Sequence, residues 1–141
     1  MKLVSKFYLM TISIILLLNS CVETHDTFSC KELVSSKGEK IYINTLNWGM
    51  TDDKQYTIVS GDKNRLEERK DTINGVRGLN PFIYKFSNDT LTVFFQKGKK
   101  IDFKQEFNTI ELNYISLENK NYIELLSSAK MGKGGYHLAP E

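Results

Sequence analysis

The sequence predicts a mainly β fold: an antiparallel meander forming a small sandwich or half-open barrel, with about six or seven strands and a short C-terminal helix. Three observations predict it. From Lys40 onward apolar side chains recur every second residue; turn-forming residues interrupt them at short intervals; and only one late stretch changes to a helical period.

The elements follow in order. Ile41 and Ile43 alternate with Tyr42 and Asn44, and Tyr56 and Ile58 with Thr57 and Val59. Leu66 to Ile73 (LEERKDTI) is too charged for a central strand and suits an edge strand or a loop. Phe82, Tyr84 and Phe86 alternate with Ile83, Lys85 and Ser87, then Leu91, Val93 and Phe95 with Thr92, Phe94 and Gln96. SNDT between these two runs makes them the clearest hairpin of the chain. Ile101, Phe103 and Phe107 share a parity and predict a further strand, as do Ile110, Leu112 and Tyr114. Bends are expected at 48–53, 60–64, 74–75, 80–81 and 97–100, where Gly, Pro, Asn or Asp cluster. Connections this short favour antiparallel neighbours. Tyr122, Leu125, Leu126 and Ala129 then fall on one helical face, with Lys130 in the last turn and Gly132 as the stop. A strand over Tyr122–Leu126 is the alternative. The helix is expected to cover an open end or edge of the sheet.

Tyr42, Ile83 and Phe94 break the apolar-in, polar-out rule. Such exceptions mark either a second layer packed behind the sheet or an exposed patch for a partner, and a second layer needs only a few of them.

The chain opens differently. Lys2 and Lys6 precede an apolar run from Phe7 to Leu18, broken only by Thr11 and Ser13. A membrane-spanning helix needs about 20 apolar residues, so this run fits the apolar centre of a secretory signal instead. It ends in Leu18-Asn19-Ser20-Cys21. An aliphatic residue, a variable one, a small one and then Cys resembles the lipobox of bacterial lipoproteins; Asn19 is bulkier than the usual small residue there. The resemblance covers about twenty residues. It implies a diacylglyceryl thioether on Cys21, cleavage before it by the lipoprotein signal peptidase, and acylation of the new amino end. Two or more acyl chains hold a protein stably on a bilayer, each buried methylene contributing about 0.8 kcal/mol.

The organisation expected is a cleaved signal at 1–20, a lipidated N-terminus and polar tether at 21–39, and one β domain at 40–141. The tether has room for a short ordered piece at Cys30–Val34. Loss of Lys2 and Lys6 with the signal leaves 17 basic and 17 acidic residues. A neutral chain lacks the basic footprint that nucleic acid requires. Lipidation of Cys21 leaves Cys30 as a single thiol, inert unless an electropositive, accessible setting activates it. A Cys21–Cys30 disulfide in a conventionally secreted protein is the rival pairing.

Few motifs carry chemistry. Gly132–Gly135 lacks the Lys-Ser/Thr pair of a phosphate loop. Asp62–Leu66 places Leu66 where a calcium loop needs a ligand. His25 and His137 stand apart from any ligand cluster, and no cofactor is implied. Trp48, beside Gly49, reads as a core or rim anchor, or else a recognition aromatic; with Phe94 it forms the possible partner surface. The function expected is a lipid-anchored envelope protein, in the outer membrane, acting as a non-enzymatic binding module for an envelope protein or glycan. A small inhibitor or immunity-type protein is a variant of that reading. A hydrolase is the other class, its carboxylates assembled about 5–10 Å apart in three dimensions.

Overall fold

The computed structural model describes residues 26–49, 54–72, 75–78, 82–98 and 105–139. Two four-stranded sheets face each other. The first contains β1 (Thr27–Val34), β2 (Lys40–Trp48), β3 (Lys54–Ser60) and β4 (Val76–Arg77), in that order across the sheet and all antiparallel. The second contains β5 (Phe82–Ser87), β6 (Thr90–Gln96), β7 (Glu111–Leu117) and β8 (His137–Ala139), in the order β7-β6-β5-β8. The helix α1 spans Asn119–Lys130.

Between the sheets, Ile41, Ile43, Val59 and Val76 from one side meet Phe82, Tyr84, Leu91, Val93 and Ala139 from the other. This is the predicted sandwich, and in β2, β5 and β6 the expected parities point inward. β3 is different. Val59 and Thr57 face the inter-sheet core, while Tyr56 and Ile58 sit on the outer face, because both faces of this strand are covered.

Both outer faces carry a second layer, which accounts for the apolar exceptions. Ile83 is fully buried with Tyr122 and Ala129 of α1, and Phe94, Leu125 and Leu126 pack around them. The helix therefore lies over a sheet face rather than over an end or edge. Gly132 adopts φ 64° just past its end, as a helix stop requires. Over the first sheet, residues 61–72 form a covering loop that buries Leu66 against Leu46 and Ile58. Asn44, fully buried, pins it by donating through Nδ2 to the carbonyls of Asp62 (3.0 Å), Lys63 (3.2 Å) and Arg65 (2.7 Å). The charged stretch from Leu66 is thus a loop with a 3-10 turn at Arg69–Asp71, and Leu66 itself holds a positive φ of 75°.

Two expectations are corrected. The boundary at Lys40 moves back, since β1 lies within the residues read as a tether and pairs with β2 along its whole length. Its pattern escaped notice because an edge strand buries little: only Phe28, Ser29, Cys30 and Leu33 are even half-buried. The meander is also interrupted, because β6 and β7 run parallel. Part of the strand expected at Ile101–Phe107 lies outside the described residues, and 105–107 are irregular. The connection 97–110 is long enough for the crossover that parallel neighbours demand. The β5–β6 hairpin turns through Asn88 (φ 50°) and Asp89 (φ 57°), the paired positive φ values of a tight type I′ turn.

At one end the two sheets are clasped. Glu39, in the β1–β2 turn, accepts from Asn108 N (2.8 Å), Thr109 N (2.5 Å) and Thr109 Oγ1 (2.6 Å). Asp89 accepts from Ser36 N (2.6 Å) and Ser36 Oγ (2.5 Å). The donors hold both carboxyl groups below their ordinary pKa: for Glu39 the Thr109 hydroxyl contributes most, for Asp89 the Ser36 hydroxyl.

Candidate functional site

Trp48 ends β2 at the opposite end of the sandwich from this clasp. Its ring stacks on Tyr56 with centroids 5.2 Å apart and planes 11° from parallel. The Arg69 guanidinium lies over the same ring, 5.8 Å from its centre, near the limit of a cation–π contact. Arg69 in turn grips Asp26 through two hydrogen bonds, Nε to Oδ2 at 2.8 Å and an Nη2 to Oδ1 at 2.5 Å. That bidentate pairing lowers the Asp26 pKa and raises that of Arg69. Trp48 is half-buried with Phe28, so it anchors the rim of the layer beneath the covering loop.

Phe94 is elsewhere. It lies on the outer face of the second sheet under α1, in an edge-to-face contact with Tyr136 at 5.6 Å. Trp48 and Phe94 thus belong to layers on opposite outer faces of the sandwich, and the structure does not join them into one patch. The third residue singled out, Cys21, lies outside the described residues, as does the stretch 1–20 expected to be a signal.

Cys30 is half-buried on β1, and burial pushes its thiol above the ordinary value, which keeps it protonated and a poor nucleophile. It borders a cleft of about 100 Å³ between β1, β2 and β8, lined also by Ser29, Lys31, Thr45 and Leu138. That is well below the roughly 300–1,000 Å³ of small-molecule sites. His137 stacks on Tyr84 at 5.4 Å. Among the described residues no group of three or more His, Cys, Asp or Glu side chains could hold a metal ion, and no helix is long and apolar enough to cross a membrane.

A partner is expected at a sheet edge or aromatic patch, but the sequence does not identify which strands are the edges. Among the described residues β1 and β7 each end a sheet, but they differ in side chains. β1 carries Lys31 and Glu32 side by side, and Glu32 is tied to Lys40 at 3.0 Å. Charges of this kind discourage further pairing. β7 (ELNYISL) carries one charged residue, Glu111, at its first position. Its Leu112 and Tyr114 pack inward against the core, while Ile115 on the other face is 40% exposed. The signal was available in the sequence as a strand with one charge and no proline. Recognising it as an edge required the parallel topology. Comparison with protein-family models, with curated proteins and with solved structures gave no match.

Proposed function

We propose that the mature chain is a lipid-anchored protein of the bacterial envelope, held in the outer membrane through Cys21, whose sandwich captures a protein partner by strand addition along β7. The observation that carries the binding role is the β7 edge, seven residues long with a single charge and an exposed Ile115. An extended segment laid beside it would satisfy main-chain groups, and alternate side chains would contact Ile115 and Asn113. The anchor rests on Leu18-Asn19-Ser20-Cys21 behind an apolar run of signal length. A non-enzymatic role draws support from the carboxylates, which serve as structural clasps: Glu39 on Thr109, Asp89 on Ser36, Asp26 on Arg69 and Glu32 on Lys40.

The test is site-directed photocrosslinking in intact envelopes, with a benzophenone amino acid at position 115. A discrete protein adduct is expected, together with loss of affinity capture in Ile115→Lys and its retention in Glu32→Ala. Capture that survives Ile115→Lys, or no adduct at 115, contradicts strand addition at β7.

A further inference from the structure

We propose that the end of the sandwich bearing Trp48, Tyr56 and Arg69 is seated against the phospholipid surface. The inference rests on the lipid anchor and adds to it an orientation. Cys21 is five residues before Asp26. Even fully extended, that length of chain spans at most about 18 Å. Asp26 is not free to swing, because Arg69 holds it with two hydrogen bonds against the 3-10 turn. The chain must therefore reach the bilayer from the place where Arg69 and Trp48 meet.

Strand register fixes which end of the domain this is. Thr27 pairs with Asn47 and Lys54 with Trp48, so the start of β1, the end of β2 and the start of β3 lie together. The Glu39 and Asp89 clasp sits at the other end of eight- and nine-residue strands, about 25 Å further from the anchor. Only the aromatic end falls within the reach of the chain.

Its chemistry fits the level of the lipid headgroups. Trp and Tyr settle at membrane–water interfaces, where a flat apolar ring with a polar tip meets both environments. Trp48 and Tyr56 are stacked, half-buried rings at the domain's rim. Three nearby ion pairs are matched, Arg69 with Asp26 (2.5 Å), Lys70 with Glu68 (2.6 Å) and Arg65 with Asp71 (3.6 Å), while Lys54 stands opposite Trp48 and Arg77 opposite Tyr56 in the strand register. Contact carried by the rings keeps the docking in place in high salt, when the contribution of flanking charges is screened.

Trp48 is the chain's single tryptophan, so its emission reports this site alone. The test places the purified full-length mature protein in vesicles of phosphatidylethanolamine and phosphatidylglycerol, doped with phosphatidylcholine brominated near the headgroup end of its acyl chains. Trp48 emission is expected to shift to the blue and to be quenched about twofold by the bromolipid, as for an interfacial aromatic. Shielding from iodide should accompany it, unchanged in high salt. Unlipidated Cys21→Ser protein should show none of this. Intact mass separates the two claims. Acylated protein whose Trp48 ignores bromolipid and stays open to iodide overturns the docking alone, and so does quenching that high salt abolishes. Protein without acyl chains overturns the anchor and the docking with it.

Discussion

The two outer faces of the sandwich are covered by different means. Over the second sheet, α1 presents Tyr122, Leu125, Leu126 and Ala129 to Ile83 and Phe94, apolar surface on apolar surface. Over the first, a loop with charges at Lys63, Arg65, Glu67, Glu68 and Arg69 is held by an apolar plug, Leu66, by the amide of Asn44 and by the Arg69–Asp26 ion pair. A helix satisfies its own backbone and needs only a greasy stripe to dock. A loop must place its carbonyls on something else, and here Asn44 supplies the donor. The comparison teaches that a polar residue inside a strand can be the keystone of a face rather than a flaw in it.

Tyr122→Ala gives the largest effect expected from breaking this contrast. Removing a buried aromatic that bridges helix and sheet should cost about 3–4 kcal/mol, read as a lowered urea midpoint for the whole domain. Asn44→Ala comes next, at about 2 kcal/mol, since it removes the buried donor that the carbonyls of Asp62, Lys63 and Arg65 share. Its distinctive sign is local: limited proteolysis should cut within 61–72, whereas Tyr122→Ala should open no preferred site there. Equal cutting in both variants would show that the loop is held by something other than Asn44.

A smaller effect sharpens the view of the clasped end. Glu39 and Asp89 have folded-state pKa values below their ordinary ones. Such groups contribute stability that is fully present above the unfolded pKa and is lost as pH falls through the lowered folded value. Stability should therefore decline on acidification below about pH 4.5, the ordinary value for Glu39. Glu39→Gln should flatten that decline in pH-dependent unfolding curves.

These cases also mark what the sequence made legible. Period-two alternation located β2, β3, β5, β6 and β7, and Asn88-Asp89 located a hairpin, because both signals are local. The stripe from Tyr122 to Ala129 located α1 for the same reason. β1 was hidden because an edge strand with Lys31 and Glu32 shows almost no alternation. The two- and three-residue strands β4 and β8 are too short for any period. Of the surface residues, Trp48 was recognisable as a rim anchor. Its partnership with Arg69 and Asp26 was not, since the ion pair joins residues 43 positions apart. Phe94 could be recognised as exceptional, but only the position of α1 decides that it packs inside a layer.

Both proposals, the seating of the domain on the bilayer and the capture of a partner in the envelope, depend on lipidation of Cys21. The most direct measurement is metabolic labelling with a radioactive fatty acid in a Gram-negative host, comparing the wild-type chain with Cys21→Ser. Label on the wild type, recovered in the outer-membrane fraction and absent from Cys21→Ser, is the result expected. An unlabelled wild type, or a Cys21→Ser protein that still takes up label, would contradict the anchor.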